Sequence, residues 1–538
     1  MPDTNKKSLG ITRRNFLAGA SAFGVVAGLG TLAACSPSSQ SKGSEDSSAS
    51  TSASGGDQRW VPESIDKVYD TDLLIVGCGG SGIACAVQSA QNGTDFIVIE
   101  KGTMVGGNAN FVEGIFAIDS TPQKEAGIEI EPADVVMAEL ERGQYRPNGA
   151  LWMDLCEKSA ENIDWLLDMG CLFSGVIDDY HGGLFQTFHW WKDGKAGVGY
   201  VEPMKAKMDE LGIEPHLETA AVSLIMDDGA VVGVYAEGPE GVIQYNAKAV
   251  VLATGGFGGS PELLEKQGWN TESLHIVGSS NAAGDAYKMC MEVGAKDSLP
   301  YASQSVLGFI EALPVVSMED AANPINGYWG IASGGPVLWV NEYADRFNSE
   351  NLRDISMVMP FHAMKDNAEN YCIFDQAIFD KYFGLSDADV EVFKKSLEEN
   401  LGNSLYQADS IEELAEKFDL DAKTLAATVE RYNKMCEKGE DTDYGKAAEF
   451  LEPIAQGPFY IAKIGYSFFF TTGGIWTNKR REVLDESKKT IPGLYAIGND
   501  GSMLYRNVYT INMPGTAFGN QVNSGREAAN NARAYIQG

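Results

Sequence analysis

Apolar and polar positions divide this chain into short buried runs and longer amphipathic stretches. Leu73-Leu-Ile-Val is an apolar run that stops at Gly77-Cys-Gly79-Gly-Ser-Gly82. A helix-compatible segment, Gly82–Ala90, follows. Gly93-Thr94 then turns the chain into a second apolar run, Phe96-Ile-Val-Ile, closed by Glu100. Strand, glycine turn, helix, strand and terminal acid in this order predict a βαβ unit. Residues 133–169 carry helical periodicity, with Val135, Val136 and Leu140 and then Ile163, Trp165 and Leu166 as apolar positions. Thr219–Val234 reads as a β-meander turning at Gly229, and Lys248–Thr254 as a third buried strand running into Gly255-Gly256-Phe257. From about residue 298 the pattern changes to aromatics, short strands and helices (386–400, 410–418, 422–437), the look of a separate domain. Ile491–Ile497 returns to the strand-then-glycine style at Gly498, and Gly515-Thr516-Ala517-Phe518-Gly519 opens a last helix to about Ile536.

The first glycine turn carries the chemistry. Gly77 allows the tight turn, Gly79 lets a pyrophosphate approach the backbone, and Gly82 lets helix and strand pack closely. The free N–H groups and dipole of the helix N-terminus favour phosphate there. Glu100 stands 18 positions after Gly82, placed to accept ribose hydroxyls. Gly80, Ser81 and Lys101 flank these points. Val105-Gly106-Gly107-Asn108 adds adjacent glycines whose N–H groups can approach a phosphate or a flavin. Together they predict a dinucleotide site.

With 538 residues the chain is long enough for two or three domains. Its formal charge is −34. Residues 1–34 hold four basic residues and one acid, so the remainder stands near −37. Such a surface repels nucleic acid and suits either plain solvation or a basic redox partner. The eight cysteines show no CxxC, which argues against zinc, c-type haem and a cysteine-motif cluster, and the five histidines (181, 189, 216, 275, 362) show no ligand spacing. No metal site is expected. Thr12-Arg13-Arg14-Asn15-Phe16-Leu17 before an apolar stretch reads as a twin-arginine export signal over residues 1–34. Leu32-Ala-Ala-Cys35 resembles a lipobox, which implies a lipid on Cys35 and a place on the outer face of the cytoplasmic membrane; ordinary cleavage nearby is the alternative. Residues 35–59 read as a Ser-rich flexible tether.

In order and spacing, these blocks resemble the flavoprotein family of fumarate reductase, urocanate reductase and the 3-ketosteroid dehydrogenases. The pieces are Gly77–Gly82 with Glu100, Gly106-Gly107-Asn108, Ala253-Thr254-Gly255-Gly256-Phe257, Gly284-Asp285, Arg346-Phe347 with Glu350 and Arg353-Asp354, Thr472-Gly473-Gly474, and Gly493–Gly498. The resemblance implies an α/β fold: a Rossmann-like FAD-binding domain in two segments (65–297 and 467–538) with an inserted α+β capping domain (298–466). It adds Ala221, Thr254, Gly255, Gly256, Gly284, Asp285, Asn499 and Asp500 to the cofactor set. Thr516 and Ala517, opening the last helix, would face the flavin O2 edge.

The family's reductases deliver hydride from flavin N5 to a polarised C=C while an acid protonates the neighbouring carbon. Arg353 matches that acid, or else merely pairs with Asp354 or Glu350. The departures concern substrate. Phe470 stands where fumarate reductases place a His, Asn512 where they place a second anchoring Arg, and Gly330 where they place a relay Glu. A diacid would be buried without its cations, at a cost of several kcal/mol, so fumarate is not the expected substrate. Phe468, Phe469, Phe470, Tyr505 and Tyr509 read as an aromatic pocket, about half of them core. Tyr509 and the Gly515 N–H resemble the carbonyl grip of the ketosteroid dehydrogenases, and Arg506 is a candidate anchor for a monoacid. The resemblance therefore implies reduction of an enone, unsaturated lactone or aryl acrylate, with a 3-ketosteroid-type dehydrogenase or a fumarate/urocanate-type carboxylate reductase as alternatives. Electrons would come from an external carrier such as a membrane cytochrome c or a flavin carrier, making the protein a terminal reductase of anaerobic respiration.

Overall fold

The computed structural model describes residues 59–180, 183–272, 274–276, 278–312, 335–350, 359–382, 387–399, 403–507 and 509–538. The export signal, Cys35, all but the last residue of the tether, Gly330 and the expected acid Arg353 with its neighbour Asp354 lie outside these residues.

Four parallel strands form the centre of a seven-stranded sheet. The first, Lys67–Val76, lies between Phe96–Ile99 and the long strand Gly241–Leu252, with Val76 opposite both Ile99 and Leu252. Thr490–Ala496 pairs parallel to the second half of Gly241–Leu252, Ala496 opposite Leu252. The first half of that strand instead carries the antiparallel meander, Ala220–Asp227 and Ala230–Gly238. The parallel core is covered on both faces, which is why its strands are continuous apolar runs. Leu73, Leu74 and Ile75 on the first strand are fully buried, as are Ala249, Val250, Val251 and Leu252 on the long one. All four strands end at one edge, where Gly77, Glu100, Ala253 and Ile497 follow. In an open parallel sheet this carboxyl edge is where ligands bind.

Two helices cover one side of that edge. Gly80–Gln91 follows the glycine turn, and the C-terminal helix Thr516–Gln537 packs across it. Gly525 permits the crossing, since a Cβ there would lie 2.5 Å from the Ser81 carbonyl oxygen. The helical stretch read at 133–169 is two helices, Pro132–Arg142 and Gly149–Asp168. Asn148 caps the second, its side-chain oxygen accepting from Ala150 N at 3.1 Å.

A second, six-stranded sheet is built on one strand, Phe459–Thr472. It pairs antiparallel with Ser303–Ile310, Asn370–Asp375 and Leu405–Ala408, and parallel with Leu274–Ile276. This strand runs without a break through the boundary expected at residues 466/467, and residues 57–538 form one compact unit. Phe468, expected in a pocket, is core: it is 1% exposed and meets Trp269 edge-on at 5.0 Å. The helices expected at 410–418 and 422–437 are Ile411–Lys417 and Ala422–Lys438.

A buried ionic cluster fixes the turn before residue 351. Arg346 makes paired bonds to Glu350 (3.0 and 2.7 Å) and to Asp441 (3.1 and 2.8 Å). Lys446 Nζ lies 3.5 Å from Glu350 and donates to Tyr432 at 2.8 Å. Burial would raise the Asp441 carboxyl, but the Arg346 guanidinium and backbone N–H groups hold it down to about 2.

Candidate functional site

A cleft of ≈ 750 Å³ opens along the carboxyl edge of the parallel strands. The glycines there have distinct reasons to be glycine. Gly77 has φ +103°, and a Cβ would lie 2.3 Å from the Ala253 carbonyl oxygen. At Gly82 a Cβ would lie 2.0 Å from the Gly77 oxygen. At Gly79, by contrast, the nearest atom would be 3.7 Å away, and that position lines the cleft. Gly77 and Gly82 thus shape the turn, and Gly79 leaves it open to a ligand.

Gly80 and Ser81 continue the wall on the helix side. Gly106 donates to the Cys78 carbonyl at 2.8 Å, laying Gly107 and Asn108 beside the glycine turn. Asn108 accepts from Ser279 N and reaches the Phe469 carbonyl at 3.5 Å. Glu100 is held by two backbone donors, Cys78 N and Gly102 N, both at 2.7 Å. Each carboxylate oxygen keeps a further acceptor position. Lys101 ion-pairs with Asp285 at 2.8 Å across the mouth. Ala221, Thr254, Gly255 and Asn499 complete the expected residues that line the cleft.

Others stand behind it. Gly256 packs on Thr471, and Gly284 is the left-handed cap of helix Asp285–Glu292. Asp500 does not line the cleft. Its carboxylate collects Thr254 N (2.5 Å), Gly255 N (3.3 Å), Gly256 N (2.8 Å) and the Thr254 hydroxyl (3.1 Å). It therefore shapes the glycine turn of the third strand. Burial pushes this carboxyl up to about 6 although those four donors pull it down.

The start of the C-terminal helix faces an aromatic cluster. Gly515, the helix cap, has φ +76°, and a Cβ there would lie 2.5 Å from Phe116 N. Thr516 is buried, accepts from the Tyr505 hydroxyl at 2.5 Å and donates to the Met513 carbonyl at 2.9 Å. Ala517, next to it, is half-buried. The Tyr509 ring meets Tyr505 at 4.9 Å and Phe470 at 5.1 Å, both edge-on. Burial, and then the charge of Glu139, raise the Tyr509 phenol, so it stays a hydrogen-bond donor. Asn512 is 7% exposed, and its Nδ2 stands near the Glu139 carboxyl without the geometry of a hydrogen bond. Arg506, the candidate anchor for a monoacid, lies over the rings of Trp476 (4.7 Å) and Tyr301 (5.1 Å), and its buried Nε has no hydrogen-bond partner among the described residues.

A model of the FAD binding domain family matches residues 72–511. The chain belongs to this family. It is 31% identical over 499 residues to the vinyl phenol reductase of Lactiplantibacillus plantarum, covering 86% of this chain and 96% of that protein. It is 28% identical over 453 residues to the urocanate reductase of Eggerthella lenta, covering 82% and 72%. Among solved structures, the open conformation of a flavocytochrome c3 fumarate reductase matches with a TM-score of 0.63 at 25% identity, covering 87% of this chain and 79% of that one.

The cofactor of this FAD-binding protein is FAD, and the cleft fits it. The wall is open at Gly79 and Gly107, where an added Cβ would meet nothing nearer than 3.7 Å, and the fixed carboxylate of Glu100 offers acceptors at the strand end. The protein is an FAD-dependent oxidoreductase with the fold of the fumarate reductase flavoproteins.

Several site residues escaped the sequence reading. Gln521 lines the cleft from the C-terminal helix, and Thr219, Ser279 and Asn281 line it from loops. Their placement depends on contacts far apart in sequence and left no local signal. Glu139 left one: it is an acid at a helical core position, following Val135 and Val136, and it is 1% exposed.

Proposed function

We propose that this protein reduces the C=C bond of a conjugated, oxygen-bearing small molecule: an enone, an unsaturated lactone or an aryl acrylate. The observation that carries the reading is the shell of Phe470, Tyr505 and Tyr509 at the C-terminal helix, with Arg506 turned onto Trp476 and Tyr301. A relative named for a vinyl phenol supports an aromatic substrate over a small diacid.

FAD, when bound, supplies the hydride. The residues of the chain hold and polarise. Glu100 and the glycine turn would hold the cofactor's ribose and pyrophosphate. Tyr509, a buried phenol, donates to the oxygen at the end of the substrate's conjugation, with the Gly515 N–H as second donor, so that negative charge arriving there is stabilised. The aromatic rings exclude water from that oxygen and strengthen both bonds. Arg353 serves as proton donor to carbon, on the strength of its match to the family's Arg-Asp pair. Arginine is a poor acid, with a pKa above ~12, so it needs prompt resupply.

The N-terminal motifs support export by the twin-arginine route and a lipid on Cys35, with electrons delivered by an external carrier. Replacing Cys35 by Ser should then release the protein from the membrane fraction.

The test is anaerobic. Reduced enzyme is mixed with an aryl enone, an unsaturated lactone, a cinnamate and fumarate, and return of the oxidised flavin spectrum is followed; oxidised enzyme is mixed separately with a saturated ring ketone, and loss of that spectrum is followed. Rapid return with the conjugated aryl compounds supports the proposal. Return with fumarate alone overturns it, and reduction of oxidised enzyme by the ring ketone favours the dehydrogenase reading.

A further inference from the structure

Residues 509–512, which include Tyr509, are backed by an acid that the reaction above does not use. Glu139 projects from helix Pro132–Arg142, and both its oxygens lie near the Thr510 hydroxyl, at 3.3 and 3.2 Å. Thr510 Oγ1 in turn accepts from Asn512 N at 3.2 Å. Among the described residues no cation lies within ion-pair distance of the Glu139 carboxyl. The groups acting on it or feeling its charge are few. Arg142 acts from its own helix, Thr510 and Asn512 act from the C-terminal segment, Tyr505 and Tyr509 feel it there, and Cys156 feels it from helix Gly149–Asp168. A buried carboxyl with no ion-pair partner among the described residues therefore stands beside the residue next to Tyr509, the phenol that in the reading above receives the substrate's oxygen end.

We infer that Glu139 is a specificity-determining residue, which admits substrates neutral at their oxygen end and rejects those that carry a carboxylate there. The inference rests on the alkene-reductase reading above and narrows it. When ionised, Glu139 places a negative charge behind Tyr509. A carboxylate bound at Tyr509 would meet that charge where little water screens it, whereas a ketone, lactone or ester carbonyl brings no net charge. When protonated, Glu139 has no such effect. Burial pushes its carboxyl up to about 7, against the weaker pull of Thr510, Asn512 and Arg142. The discrimination therefore switches on as pH rises through neutrality.

The test compares an aryl acrylate with its methyl ester, two molecules of one shape that differ in charge. Second-order rates of reoxidation of reduced enzyme are measured for both from about pH 5.5 to about pH 8.5, a range over which the free acid stays ionised. In the wild type the ester-to-acid rate ratio should rise roughly 10-fold or more with pH, with a midpoint near that of Glu139. In Glu139→Gln, which keeps shape and loses charge, the ratio should be low and flat while FAD content is retained. A ratio that is flat in the wild type, or that keeps its pH dependence in Glu139→Gln, overturns the inference. The wild-type profile decides the matter even where the variant fails to fold. If neither compound reoxidises the wild type, the alkene-reductase reading fails first and takes this inference with it. A fast, pH-independent reaction with the acid leaves that reading standing and sinks only this one.

Discussion

Gly77 sits with φ +103° and with the Ala253 carbonyl where its Cβ would be. Gly77→Ala adds a left-handed strain of roughly 1–3 kcal/mol to a hard contact with backbone. The turn must shift, and it is the turn that faces the cofactor. The expected outcome is protein that folds but retains less than about a tenth of the wild-type flavin, measured as the flavin-to-protein absorbance ratio. Glu139 makes a different prediction, on stability. Its folded-state carboxyl titrates near 7, above the ordinary 4.5. The folded protein thus holds this proton more tightly than the unfolded chain does. The stabilisation is complete below the ordinary carboxyl range and is lost as pH rises through about 7. Relative to Glu139→Gln, the wild type should lose about 3 kcal/mol of unfolding free energy between about pH 4 and about pH 8, read from denaturant titrations at each pH.

Elements show which features are readable from sequence. The strand–turn–helix from Leu73 to Ala90 and the acid at Glu100 were legible because every determinant lies within some thirty residues of chain. The helices at 133–169, 411–417 and 422–438 were legible from apolar periodicity. Asp500 was legible as important but not in its role, since a carboxylate after a strand can face a ligand or a neighbouring turn, and only the fold brings Thr254–Gly256 beneath it. Phe468 is core because of Trp269, a ring some two hundred residues away, so no local pattern marks it. Arg346, read as part of a family motif, is the centre of a buried cluster with Glu350 and Asp441. Arg346→Ala leaves the buried Asp441 carboxylate without its cation and Glu350 with Lys446 Nζ at 3.5 Å, which costs about 3–5 kcal/mol. A first unfolding transition at lower denaturant is expected. Arg346→Lys should restore only part of the loss, because an ammonium cannot make both paired contacts.

For the whole molecule the dominant quantity is charge. At −34 the protein presents a field that attracts a basic electron carrier and repels an acidic one. If the carrier is a basic cytochrome, the rate at which it reduces the flavin should fall at least roughly 10-fold between about 0.02 and about 0.3 M salt, while reduction by a small neutral donor stays constant. A salt-independent cytochrome rate would show that the acidic surface serves solvation alone.

The strand Phe459–Thr472 has a mechanical consequence. Near its end the Thr471 hydroxyl accepts from Phe257 N at 2.8 Å, beside the turn held by Asp500, while its beginning is the spine of the six-stranded sheet. A hinge needs a few residues free to change their backbone angles, and this ribbon is paired along its length except at one bulge opposite Ser305 and Val306. Any tilt of that sheet would be carried like a lever stroke to Gly256 and the cofactor cleft.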